Sequence, residues 1–184
     1  FGLGKSACLS LGLATEEIFA HLCRQGSTGE PIEIQCRNNI YYTRVQFRFS
    51  ATSLNLKGLN ITSAMTGDDE SCMEEMGLMI AARSVDRLRI IVEKQQNVCL
   101  VIDKEKDYPP IPDIPFCPPA TVEEITIRIP DTEGLKGFAI LAAQRHKDQL
   151  MPPFFRYPGK VADMVASGEY HALVAVNPRQ EIIG

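Results

Sequence analysis

The 184-residue sequence predicts an α+β fold in which a layer of helices packs on a mostly antiparallel sheet. Helical periodicity alternates along the chain with pairs of short strand-like segments, and a turn signal joins the strands of each pair. Strands joined by short turns are antiparallel, and the helices between such pairs must cover the sheet. A third observation divides the chain, because residues 107–119 (DYPPIPDIPFCPP) contain six prolines. This stretch is predicted to be a linker between domains at 1–106 and 120–184.

The first domain is predicted to begin with an amphipathic helix and a hairpin. Apolar residues recur at spacings of three and four over Ser10–Gln25, and Gly26 ends this pattern. Strict alternation over Ile32–Cys36 predicts a half-buried strand. The turn signal Asn38-Asn39 and renewed alternation over Tyr42–Phe49 complete the predicted hairpin.

A second helix and hairpin are predicted after the polar stretch Ser50–Ser71. Helical spacing extends over Met73–Leu88, and a strand is expected at Leu88–Glu93. Val98–Asp103 (VCLVID) is continuously apolar up to its last residue, which predicts a buried partner strand.

The second domain is predicted to have the order β-α-α-β-β. Asp131 or Thr132 could cap its first helix. The last strand stops at Gly184, so we expect further sequence, the first domain or a partner to cover the exposed sheet edge, and self-association is one such arrangement. From the abrupt ends at Phe1 and Gly184 we expect a piece of a longer protein. The predicted elements are Glu124–Ile129, Glu133–His146, Lys160–Ala166, His171–Val176 and Glu181–Ile183.

Composition narrows the functional classes. The hydrophobic fraction of 45% and the charged fraction of 23% are typical of a globular protein. A formal charge of −4 offers no basic field for nucleic acid, and no uncharged run is long enough for a membrane span. We therefore expect neither partner. The six scattered cysteines form no metal-ligand pairs, which favours free thiols in the cytoplasm.

Two groups of residues could carry chemistry. Glu17 and His21 are four residues apart on the first predicted helix and so share one face. They could act as a base and a ligand, although the spacing alone favours a simple helix-surface contact. Gly77 follows an acidic stretch at a predicted helix start, where free N–H groups could receive a phosphate. A loop-to-helix junction explains this glycine equally well, and the acidic neighbours would repel phosphate without a divalent cation.

The string Leu13–His21 (LATEEIFAH) resembles the nucleotide-site helix of the GHKL ATPase superfamily. The most similar branch is the serine kinases that act as bacterial anti-sigma factors. Glu75–Ile80, Val85–Leu88 and Asn97–Val101 resemble the second glycine box, the last helix and the closing hairpin of that family, so the resemblance covers residues 1–106.

The resemblance implies a role for four residues. Glu17 would be the general base, and Gly77 with Leu78 would contact ATP. His21 stands at the magnesium position, where the family has Asn.

Three departures from the family pattern affect these roles. Magnesium prefers oxygen donors to an imidazole such as that of His21. The Asp-x-Gly box that reads adenine is replaced by residues 50–52 (SAT), and Glu75 replaces the first glycine of the second box. We therefore expect weak or absent binding of ATP and magnesium. The domain would keep its fold to bind a protein partner, such as a sigma factor or an anti-sigma antagonist.

The second segment resembles the opening of a GNAT-type N-acetyltransferase. The matching strings are Ile125–Pro130 (ITIRIP), Tyr157–Ala162 (YPGKVA) and the run from Gly168 to Gly184, which resembles the third and fourth strands of that fold. The glycine-rich loop for acetyl-CoA would lie beyond Gly184. Acetyl-CoA is therefore expected to bind only if the chain continues.

These observations predict a cytoplasmic bacterial regulatory protein. A degenerate anti-sigma-kinase-like domain would act through a protein partner and would be fused to an acetyltransferase-like domain. Two alternatives stay open. One is an active ATP-dependent serine kinase of the anti-sigma type, and the other is an acyl-CoA-dependent N-acetyltransferase whose catalytic half lies beyond this chain.

Overall fold

The computed structural model describes residues 2–25, 31–50, 70–93, 97–111, 124–146 and 151–184, with only the backbone described at 25 and 70–75. The chain divides into two compact units, Phe1–Lys106 and Asp107–Gly184. Helices and antiparallel strands occur in both, which confirms the predicted α+β class. Within the described ranges no helix is both long enough and apolar enough to cross a membrane.

The first unit follows the predicted order of helix, two strands, helix and two strands. Its four strands form one antiparallel sheet in the order β1-β2-β4-β3. The hairpin between the first two strands closes on a bond from the Asn39 N–H to the Tyr42 carbonyl. The elements are α1 (Lys5–Gln25), β1 (Glu33–Asn38), β2 (Tyr42–Ser50), α2 (Glu70–Ser84), β3 (Arg87–Val92) and β4 (Asn97–Glu105).

The register of β2 and β4 builds the core of this unit. Phe47 lies opposite Leu100, and Val45 lies opposite Ile102. Because side chains alternate between the faces of a sheet, these residues share the face that α1 and α2 cover. The helices contribute Leu11, Ala14, Ile18, Leu22, Leu78 and Ala81 to the same core.

Two helix bounds of the first unit differ most from those predicted. α1 begins at Lys5 rather than Ser10, since the Cys8 N–H bonds to the Gly4 carbonyl and Ala7 extends the buried stripe. α2 ends at Ser84 rather than Leu88. The chain leaves the helix there because the Asp86 N–H bonds to the Asp103 carbonyl, which starts the pairing of β3 with β4.

The strand predicted to be half buried, β1, is an exposed edge strand. It pairs with β2 alone among the described strands, and Ile34 remains exposed. The prediction of a strand was right, but the prediction of its burial was wrong. Alternation reports strand conformation, whereas burial depends on whether another element covers the strand.

The second unit has the first four elements of the predicted order β-α-α-β-β, with shorter strands, and the last predicted strand, Glu181–Ile183, is not formed as a strand. β5 pairs with β6 over three residues, and Val176 of β6 forms a single bridge to Ile182. Of the two predicted capping residues, Asp131 caps α3, since its Oδ1 accepts a 2.8 Å hydrogen bond from the Gly134 N–H. The elements are β5 (Thr126–Arg128), α3 (Thr132–Arg145), α4 (Pro158–Ala166) and β6 (Val174–Val176), with a 3₁₀ turn at Pro153–Arg156.

The start of the proline-rich stretch packs within the second unit. The Tyr108 hydroxyl donates a 2.6 Å hydrogen bond to Asp163 on α4, and the Ile111 N–H bonds to the Arg156 carbonyl. Residues 112–119 of the predicted linker lie outside the described residues.

Candidate functional site

The candidate site lies where α1 packs on α2. The buried residues of α1 recur every three or four positions, and this stripe faces the sheet. Glu17 follows Ala14 by three residues and stands half-buried at the flank of the stripe. From this position it faces α2 rather than the sheet.

Glu17 and Gly77 are in close contact. A Cβ added to Gly77 would overlap Oε2 of Glu17 and lie 3.5 Å from its Cδ. The carboxylate thus occupies the space that any other side chain at position 77 would need. The structure brings together two residues that the sequence places sixty positions apart.

Gly77 lies inside α2 and not at its start, so that prediction was wrong. The helix begins at Glu70, whereas only the first four N–H groups of a helix lack an intrahelical partner. The Gly77 N–H is therefore not free to receive a phosphate in the way a helix N-terminus does. In this position the missing side chain serves the close approach of Glu17.

His21 is buried in the first unit, three residues after Ile18 on the side of α1 that the core covers. It lies one turn beyond Glu17, as the spacing predicts. Metal binding there would require further ligands. Across the described residues, no group of three or more His, Cys, Asp and Glu side chains is placed to hold a metal ion.

Leu78 is part of the hydrophobic core, in the same cluster as Phe47 and Leu100. Its side chain is nearly inaccessible to solvent. Of the four predicted site residues, Glu17 and Gly77 meet at the helix contact, while His21 and Leu78 are buried.

The sequence reasoning did not single out Asp103, which lies on the sheet face opposite the helices. Its carboxylate is only 1% exposed and accepts hydrogen bonds from Arg44 Nε at 2.7 Å and Arg44 Nη2 at 2.9 Å. Arg89 Nη2 adds a third bond at 3.0 Å. An acidic residue ending an otherwise apolar strand is the signal that could have found it. The buried carboxylate accepts all three of these hydrogen bonds from arginines of the same chain, and the cluster therefore stabilises the sheet.

In the second unit, a cavity of about 460 Å³ follows one side of α3. Arg128 of β5, residues of α3 from Glu133 to Gln144, Gln180 and Ile182 line it. Asp131 at its rim is already engaged as the helix cap. The described lining contains no serine, cysteine or histidine, so it offers no pairing of such a nucleophile with an imidazole base.

The amino-acid sequence was also compared with known proteins. No protein-family model matches it, and no curated protein sequence is significantly similar to it.

Proposed function

We propose that the chain is a bacterial regulatory protein whose first unit is a degenerate relative of the anti-sigma-factor serine kinases. This unit acts by binding a protein partner, such as a sigma factor or an anti-sigma antagonist. The second unit is an acetyltransferase-like domain. The observation that carries the proposal is the contact between Glu17 and Gly77.

This contact disfavours nucleotide at the implied site. A phosphate that approached Gly77 would meet the half-buried Glu17 carboxylate, and two negative charges about 4 Å apart repel each other. A magnesium ion could offset the repulsion, but the implied ligand at position 21 is an imidazole, which magnesium disfavours. The unit therefore keeps the helix pair without the means to hold phosphates.

Exposed apolar side chains on the same helices support a protein partner. On α1, Leu13 is exposed four residues before Glu17. On α2, Ile80 is exposed three residues after Gly77, and Met76 is exposed directly before it. Apolar groups gathered around a contact between two helices are suited to bury against another protein.

A cytoplasmic location is part of the proposal. Among the cysteines that the structure describes, Cys8, Cys23 and Cys36 are exposed free thiols, and Cys99 is a buried one. Free exposed thiols persist in a reducing compartment.

Calorimetry tests the proposal in two titrations of the 184-residue chain. Mg-ATP is expected to bind more weakly than about 100 μM. Purified sigma factors and anti-sigma antagonists of the source bacterium form the second series, and one of them is expected to bind. Leu13→Lys should weaken that binding at least about tenfold, because burying a leucine contributes about 1.5–3 kcal/mol. Leu173→Lys is the matched control, since Leu173 is an equally apolar, exposed residue of the second unit.

Two outcomes would overturn the proposal. The first is binding of Mg-ATP with a Kd below about 100 μM. If this binding were lost in Glu17→Ala and Gly77→Ala but kept in Gly12→Ala, the chain would have an active nucleotide site. Gly12 is the control because it lies on α1 with open space where its Cβ would be. The absence of binding to every member of the sigma-factor series would equally reject the partner class.

A further inference from the structure

The sheet of the first unit has two edge strands, β1 and β3, and β3 is the more apolar of the two. β3 pairs with β4 on one side, and no described strand pairs with its other side. Ile90, Ile91 and Val92 are 38%, 47% and 76% exposed. Natural proteins usually protect such an edge with charge, proline or a covering element, so an apolar edge indicates an interface.

The hydrogen-bond pattern shows which backbone groups of β3 point outward. The Glu93 N–H bonds to the Asn97 carbonyl, so this opposed pair is a hydrogen-bonded one. Such pairs alternate along antiparallel strands, so the N–H and C=O groups of the odd-numbered residues of β3 form hydrogen bonds with β4. The Lys106 N–H bonds to the Tyr41 carbonyl, so the N–H and C=O groups of the even-numbered residues of β4 form hydrogen bonds with β2. The odd-numbered residues of β4 are then left to bond to β3, in agreement with the pattern on β3. The N–H and C=O groups of Leu88, Ile90 and Val92 therefore face away from the sheet.

We propose that this edge binds a second copy of the chain, with β3 paired antiparallel to its own copy about a two-fold axis at Ile90. In this register Ile90 lies opposite Ile90 of the second copy, and Leu88 lies opposite Val92. All three outward-facing residues then exchange hydrogen bonds with their counterparts. Two four-stranded sheets become one continuous sheet, and apolar side chains pair with apolar ones on its helix-covered face.

Charge complementarity selects this register. Pairing about Ile90 places Arg87 of each copy opposite Glu93 of the other, so the interface contains two opposite-charge pairs. A register centred on Arg89 would place two arginines opposite each other, and one centred on Ile91 would leave Leu88 without an apolar counterpart. Glu93 is exposed and lies 4.0 Å from Arg48 Nε. Arg87 already pairs with Glu105 of its own chain at 3.0 Å, and Glu93 of the second copy becomes its second acidic partner.

Sedimentation velocity of the 184-residue chain over a concentration series tests the proposal, and a monomer–dimer equilibrium is expected. Glu93→Arg should weaken the dimer at least about tenfold, because both cross-strand pairs become repulsive. Glu33→Arg is the matched control. Glu33 also pairs with Arg48, at 3.8 Å, but it lies on β1 at the opposite edge of the sheet. It should leave the dimer unchanged.

Mixing two variants tests the register itself. Arg87→Glu alone should also weaken the dimer, whereas an equimolar mixture with Glu93→Arg should restore it, because both pairs of the mixed dimer are then of opposite charge. Circular dichroism of each variant establishes that it is folded. A monomer at every concentration, equal weakening by Glu93→Arg and Glu33→Arg, or no restoration on mixing would overturn the proposal.

Discussion

At the residue scale, the Asp103 carboxylate is the most deeply buried acidic partner among the ion pairs described in the first unit. It is 1% exposed, and its partners Arg44 and Arg89 are 24% and 48% exposed. Asp103→Ala should destabilise the chain by about 3 kcal/mol, because it leaves the mostly buried Arg44 guanidinium without this partner. Urea unfolding followed by circular dichroism would measure the loss.

Arg48→Ala is the reference for this prediction. The Arg48 side chain is 41% exposed, and its carboxylate partners Glu33 and Glu93 lie 3.8 and 4.0 Å away, so its removal should cost less than about 1 kcal/mol. If Asp103→Ala cost no more than Arg48→Ala, the buried cluster would not stabilise the sheet.

The candidate site shows what residue patterns can and cannot predict. The four-residue spacing correctly places Glu17 and His21 one turn apart on one helix. The depth of each side chain was not predictable from that spacing, because the rotation of α1 on the sheet decides it. The role of Gly77 was even less predictable from the sequence. The role of a glycine depends on which distant residue approaches it, and here that residue is Glu17.

At the element scale, two glycines in helices of the first unit make a matched pair. Gly12 on α1 has open space where a Cβ would be, whereas Gly77 on α2 faces the Glu17 carboxylate. Gly12→Ala should stabilise the chain by about 1 kcal/mol through helix propensity. Gly77→Ala should stabilise the chain clearly less than Gly12→Ala does, because the Glu17 side chain must move to make room for the new methyl group. Thermal and urea unfolding would compare the two variants.

A double-mutant cycle isolates the contact between the helices. In a Glu17→Ala background, Gly77→Ala should recover the full gain of about 1 kcal/mol. Equal gains from Gly77→Ala with and without Glu17 would mean that the two residues do not meet.

The bounds of elements were less predictable than their existence. Alternation and helical spacing correctly indicated α1, β1, β2, α2, β3 and β4 in order. The predicted end of α2 was wrong because Val85 and Leu88 continue the apolar spacing of the helix. Both residues do pack against the same core. They reach it from the turn and from β3 instead, since the Asp86 carboxylate bonds to the Glu105 N–H and draws the chain onto β4.

At the scale of the whole chain, stability should be unevenly distributed between the two units. In the first unit, β4 pairs with strands on both sides, and its residues from Val98 to Asp103 are buried. In the second unit, β5 pairs with β6 over three residues, and all three residues of β5 are exposed. Local opening requires less free energy where few apolar contacts and few hydrogen bonds are lost.

Native-state hydrogen exchange would measure this difference. Amides of β4 should exchange at least about tenfold more slowly than those of β5, after correction for intrinsic rates, because β4 opens only when the central sheet of its unit comes apart. Peptides covering 97–105 and 126–128 allow the comparison by mass spectrometry in a single sample. The three-residue pairing described here leaves the β5 amides little protection, so equally slow exchange in both strands would contradict the prediction. It would mean that β5 is held by more structure than its pairing with β6.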